Sequence, residues 1–386
     1  MTSAVAQEEL NQVADMPRAE RLVSLDAFRG LTIAGMILVN NPGSWSYVYP
    51  PLAHAAWHGW TPTDLVFPFF LFIVGVSITL SMGDRVARGG SQKKIYLRIV
   101  RRTLILFGLG LFLNGFPFFD LATYRIPGVL QRIALCYFFA ALIFMKLGVK
   151  GQAVAATALL AIYWLLMKLV PVPGYGAGVL EMDGNLAAYI DNLLMPGHLW
   201  KPAWDPEGLL STIPAIATTI LGMLCGYWLR TDRDAVKKIQ GLLAAGVIGV
   251  ALGQLMNLWF PINKNLWTSS YVVFTAGCAL LLLALCYWLI DHLGYKRPAL
   301  PFVIFGVNPI TVYVLSGIVA SLIDLIRVGP VLPGGNRATL KDYVYDNFFA
   351  SWAGPMNGSL FFALAFVLLM FIPIWVLYKK RVFIKI

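Results

Sequence analysis

The chain has 386 residues, 59% of them hydrophobic and only 13% charged, whereas soluble domains carry roughly 25% charged residues. That balance excludes a disordered chain and argues against an ordinary soluble enzyme. The formal charge of +11, from 30 Lys and Arg against 19 Asp and Glu, would suit nucleic acid by itself. The basic residues, however, sit in short segments between apolar runs, so they report membrane topology and no nucleic-acid partner is expected.

Residues 1–20 lack an apolar core and carry acidic groups, so they read as a cytoplasmic segment and not as a cleaved secretory signal, with 21–386 forming a single transmembrane domain. Ten apolar spans follow, at about 27–41, 63–83, 103–119, 129–146, 151–170, 208–229, 239–259, 267–290, 301–322 and 358–378. Inside lipid a backbone must satisfy its own hydrogen bonds, and runs of this length do so as helices; the two-residue alternation of a barrel strand is absent. The expected fold is therefore all-α, a polytopic integral membrane protein of about ten transmembrane helices. With the N-terminus inside, segments 84–102, 146–150, 230–238, 291–298 and 379–386 hold nineteen Lys and Arg and the opposite side six, which puts both termini in the cytoplasm. Cys136, Cys225, Cys278 and Cys286 fall within apolar runs and read as packing residues.

No phosphate-binding loop, dinucleotide fingerprint, HExxH or GxSxG occurs, so the informative residues are polar groups near the membrane boundary, where they are costly. At the inner start of the first span, Asp26 and Arg29 are spaced to pair on one helix face, or to leave Arg29 for a phosphate. The outer segment HAAWHGWTPTD, residues 54–64, holds two of the four histidines. His54 and His58 suit proton transfer or acyl capture, with Asp64 orienting a ring. They suit equally an interfacial belt with Trp45, Trp57 and Trp60, in which Asp64 is the N-cap of the second span. Gly59 and Pro62 argue against a helix here, so the histidine spacing is not a metal site and no metal is expected.

In RIPGVLQR, residues 125–132, Arg125, Gln131 and Arg132 approach the start of the fourth span, where an anion site and a snorkelling arginine look alike. The long outer loop 171–207 is acidic; its Asp205 and Glu207, in WDPEG, would attract a cationic group or simply stabilise a helix start. In INKNLW, residues 262–267, Asn263 and Lys264 beside Trp267 would suit a sugar or an interfacial belt.

The segments RLVSLDAFRG, Asn40 and its neighbours, HAAWHGWTPTDLVFPFFLFIVG, RIPGVLQR, WDPEGLLST, INKNLWTSSYV and the basic tail run in this order from about residue 21. Together they resemble the heparan-α-glucosaminide N-acetyltransferase family, in the manner of a bacterial member of that transmembrane acyltransferase group. The resemblance implies that acetyl from cytoplasmic acetyl-CoA is carried to the amino group of a glucosamine-type sugar, or of a glucosamine-terminated oligosaccharide, on the periplasmic side of a bacterial inner membrane. It puts His54 at the active-site histidine, as general base or acyl acceptor, and Asn40 beside the catalytic centre; His58 does not match. The chemistry then asks for a carboxylate on the ring, Asp64, and a donor to the thioester oxygen, Asn40. A donor entering from inside and a histidine near the outer boundary require a channel for the pantetheine arm. Arg29, Arg101 and Arg102 are expected at its inner mouth and Arg125, Gln131 and Arg132 near its outer end. Asp205, Glu207, Asn263 and Lys264 are expected on the sugar, and a homodimer is implied. Two other readings stand beside this one: a transporter of a small polar solute using Asp26, Arg29, Asp64 and Arg132, and an O-acetyltransferase of an envelope polysaccharide.

Overall fold

The computed structural model describes residues 22–87, 91–331 and 337–384, so the expected segment 1–20 lies outside the described residues. The chain is an all-α, multi-pass membrane protein. Its helices are α1 (Val23–Asn40), α2 (Val66–Ala87, entered through a 3-10 turn at Pro62–Leu65), α3 (Gln92–Gly115), α4 (Val129–Lys146), α5 (Val149–Leu169), α6 (Leu186–Leu194) and α7 (Thr212–Arg230). There follow α8 (Ala235–Met256), α9 (Ser269–Cys286, prolonged by a wide turn at Tyr287–His292), α10 (Lys296–Val307), α11 (Pro309–Leu325), α12 (Leu340–Tyr345) and α13 (Pro355–Lys379). Two short antiparallel ribbons, β1 (Pro171–Val172) with β2 (Gly176–Ala177) and β3 (Arg327–Val331) with β4 (Arg337–Thr339), lie in the long loops.

Among the described residues eight helices are long and apolar enough to cross a bilayer, nine if α10 and α11 count as one bent span. Helix α3 begins well before its expected apolar run, because Gln92 to Arg102 are helical where charge suggested a loop. Lys, Arg and Gln are good helix formers, and their long side chains return charge to water while the backbone stays helical. The expected span 301–322 is broken at Asn308, where its halves meet at 73°. Pro309 forces the break: a residue before proline is kept out of the helical region, and Asn308 takes φ −130°, ψ 51°. The Asn308 side chain then clamps the tail, donating to the Val382 carbonyl at 3.0 Å and accepting from the Ile384 N–H at 2.8 Å. The outer loop 171–207 also holds more structure than expected, since α6 forms within it behind an Asn185 cap that accepts from the Ala188 N–H.

Helices α2 and α7 form the buried centre, whereas α5, α8 and α13 face mostly outward. The central pair touches backbone to backbone. A Cβ on Gly75 would lie 1.9 Å from the Thr219 carbonyl oxygen, and one on Gly222 would lie 2.0 Å from that of Phe72. In lipid, where apolar surface gains little by burial, such close packing supplies the association energy. It fixes α2, and with it the 3-10 turn at the start of α2 on which Asp64 stands.

Candidate active site

Three loops converge at one end of the bundle: 41–65, 195–211 and 257–268. The first is tied to the head of α2 by a reciprocal cap. Thr61, not Asp64, is the N-cap residue, and Asp64 stands three places later and reaches back. One oxygen of Asp64, Oδ2, accepts from the Thr61 N–H at 3.0 Å, the Ala55 N–H at 3.0 Å and the Thr61 hydroxyl at 3.2 Å. The other, Oδ1, lies 2.6 Å from His54 Nδ1. The Asp64 side chain is 1% exposed and the imidazole 43%. A carboxylate only accepts, so Nδ1 carries the proton and Nε2 keeps its lone pair. The Tyr271 hydroxyl, from α9, donates to the Asp64 carbonyl oxygen at 2.5 Å and steadies the turn.

The loop 257–268 closes over this pair. Gly59 donates its N–H to the Ile262 carbonyl at 2.8 Å, joining the two loops. Asn263 Oδ1 accepts from the Leu266 N–H at 2.9 Å, and Trp267 adopts φ +52°, an uncommon conformation for a bulky residue that is held here by full burial. This tight turn projects Lys264 inward. Its Nζ lies 3.2 Å from each nitrogen of the His54 ring and 3.9 Å from Asp64 Oδ1. Removal from water lowers the Lys264 ammonium below the ordinary lysine range and the Arg132 charge adds to that, while Glu207 and Asp64 oppose it.

Beneath lies a second set of charges. Arg125 grips Asp205 with two parallel bonds of 2.8 Å and reaches Glu207 at 2.5 Å. Asp205 also accepts from the backbone N–H groups of Trp200 and Glu207. The two carboxylates expected on the sugar and the arginine expected near the outer end of the channel thus pair with one another, with one formal negative charge in excess. Arg125 is held above its ordinary range, as its carboxylate partners outweigh its burial. Buried Arg132 stacks over the Trp267 ring at 5.1 Å and donates to the Gly208 carbonyl and the Ser211 hydroxyl, while its Nε and Nη1 have no partner. Burial pushes the Asp191 carboxyl up to about 7, against the bond it accepts from the Leu209 N–H and the nearby Arg132.

The remaining expected residues scatter. Asn40 is exposed at the end of α1. Gln131 fills the notch left by Gly110 and Gly128 and donates to the Ile126 carbonyl. Asn263 turns its amide to His58, 3.2 Å from Nδ1, and Glu181 lies 3.5 Å from the other ring nitrogen. Away from this site Arg29 bonds Asp26, the Ser77 hydroxyl and the Gly306 carbonyl, a tie between α1, α2 and α10. Arg101 is exposed, and Arg102 lies 4.4 Å over the Tyr137 ring with its Nε buried and unpartnered. One narrow cleft is lined by Ile33, Met36, Phe70, Ile133 and Tyr313, and another lies between Leu38, Tyr49 and Leu360. Neither is lined by His54, so neither is the expected pantetheine channel. Of the residues that position the site, Thr61 was legible as T-x-x-D before an apolar run; Tyr271 had no local signal.

The profile of heparan-alpha-glucosaminide N-acetyltransferase catalytic regions matches residues 21–256. The chain is 33% identical over 353 residues to the mouse protein named heparan-alpha-glucosaminide N-acetyltransferase, covering 77% of this chain and 53% of that one. It is 34% identical over 352 residues to the human protein of the same name, covering 76% and 52%. The chain thus spans about half the length of the curated relatives it matches.

Proposed function

The chain belongs to the heparan-alpha-glucosaminide N-acetyltransferase family, and from that premise we propose that it is a membrane-embedded acetyltransferase moving acetyl from acetyl-CoA to the amine of a glucosamine-type sugar. The observation that carries this reading is the His54 imidazole, with Nδ1 bonded to a buried carboxylate and Nε2 left as the basic nitrogen. As the sugar nitrogen attacks the thioester carbonyl, Nε2 takes the amine proton; the C–S bond then breaks and the proton passes to the departing thiolate. A two-step route, in which Nε2 itself carries the acetyl group, uses the same nitrogen and differs by a burst of free CoA before product. Asp64 fixes the tautomer in either route. The donor approaches from the cytoplasmic end, where Arg101 and Arg102 of α3 are the candidates for its phosphates. Arg29, bonded within the bundle, is a weaker candidate. Assembly as a homodimer in a bacterial inner membrane belongs to the same proposal.

Sealed inverted vesicles test it, with acetyl-CoA outside, glucosamine trapped within, and a His54→Ala control. The expected result is N-acetylglucosamine inside, stable to mild base, and none with H54A. Sugar flux without acetylation would mean a transporter, and a base-labile product an O-acetyltransferase. Full acetyl transfer by folded H54A would remove His54 from the chemistry.

A further inference from the structure

Lys264 lies just beyond the stretch matched by the family profile, so its role is argued from geometry alone. Its ammonium reaches both nitrogens of the imidazole at 3.2 Å, yet the ring can accept only one bond from it, at Nε2, because Nδ1 gives its proton to Asp64. The carboxylate does not need the lysine: Asp64 is satisfied by His54, Ala55 and Thr61, and Lys264 stands 3.9 Å off, beyond hydrogen-bond reach. Two of the three N–H donors of Lys264 therefore remain for something that arrives beside Nε2. The side chain is only 15% exposed, so water does not screen its charge as it would at a surface. Asn40, the donor expected from the sequence, is exposed at a helix end.

We infer that Lys264 is the catalytic residue that receives the negative charge on the thioester oxygen. The inference rests on the acetyl-transfer reading. When the sugar amine occupies Nε2, the lysine is released from that nitrogen and stands beside the reacting carbonyl. The amine lone pair forms the new C–N bond, the carbonyl π pair moves onto oxygen, and Lys264 donates to that oxygen. His54 takes the amine proton at Nε2. Collapse restores the carbonyl, breaks the C–S bond and sends the proton from His54 to the thiolate sulfur, so Lys264 ends as it began. The groups facing the lysine are His54 and Asp64 on the first loop and 3-10 turn, Glu207 on the second loop and Arg132 on α4. Burial and Arg132 ease its proton off, and the two carboxylates hold it on.

The test is steady-state acetyl transfer from acetyl-CoA to glucosamine by wild type, Lys264→Met and Lys264→Arg, across alkaline pH. Loss of one such donor lowers kcat by roughly 10²–10³-fold. The expected result is a loss of that size in K264M, with the KM for acetyl-CoA changed less than about threefold, and partial recovery in K264R, which keeps the charge. Wild type should lose activity on the alkaline side below the range of an ordinary lysine, and K264R should not, because guanidinium keeps its proton there. Should K264M fail to fold, the K264R profile still decides. K264M with near wild-type kcat, or K264R with the wild-type alkaline decline, would overturn the inference while leaving acetyl transfer standing. A wild type without acetyl transfer would overturn both.

Discussion

Replacing Asp64 by asparagine exchanges one carboxylate oxygen for an NH2 group and keeps the side-chain volume. The structure leaves that amide only one good orientation. Its oxygen must take the place of Oδ2, which now accepts from the Ala55 and Thr61 N–H groups, since an NH2 there would face two donors. The NH2 then points to His54 Nδ1, 2.6 Å from the present Oδ1. A donor facing Nδ1 strips that nitrogen of its proton and moves it to Nε2, the nitrogen required as base. The ring is held in place with the wrong tautomer. In a serine-protease triad the corresponding exchange lowers kcat about 10⁴-fold, close to 5.4 kcal/mol at 1.36 kcal/mol per decade. Here we expect roughly 10³–10⁴-fold, because Lys264 beside the ring already restricts its orientation. Loss of charge from a cap that keeps its geometry should lower stability by only about 1 kcal/mol. The assay is thiol release from acetyl-CoA in the presence of glucosamine, with melting in detergent as the folding control. D64N retaining more than about a tenth of wild-type kcat would refute the tautomer argument.

Two further outcomes follow from the charges beneath the site. Asp205→Ala leaves the Arg125 guanidinium to Glu207 alone and unpairs the Trp200 and Glu207 N–H groups, and should destabilise by about 1–3 kcal/mol. Adding Arg125→Met then leaves the Glu207 carboxylate without its partner and should lower stability further, and a double variant at least as stable as D205A would show that the Arg125–Glu207 pair is not what holds the loop. Asp191, pushed up to about 7 by burial, favours its neutral form when folded. Its contribution is therefore full below the unfolded carboxylate range near pH 4 and is lost as pH rises through about 7, by up to about 4 kcal/mol. The melting temperature of Asp191→Asn minus that of wild type should rise between pH 4 and 7; a flat difference would mean that Asp191 is ionised in the folded protein.

The sequence by itself determined the helical membrane architecture, because a backbone in lipid has no partner but itself and long apolar runs have one solution. It also marked the block holding His54 and Asp64, which are ten residues apart and joined by a local cap. Where local signals misled, local chemistry explains it. The basic start of α3 read as loop because charge was weighed above helix propensity, and Asn308–Pro309 was hidden inside an apolar run. What only the tertiary structure decided was which charges meet. Lys264 reaches His54 across 210 positions, and Arg125 meets Asp205 across 80 and Glu207 across 82, so groups that look free along the chain are partners in space. No periodicity relates such positions, since charge pairing depends on distance through space. That distance is set by how closely the glycine-lined helices pack.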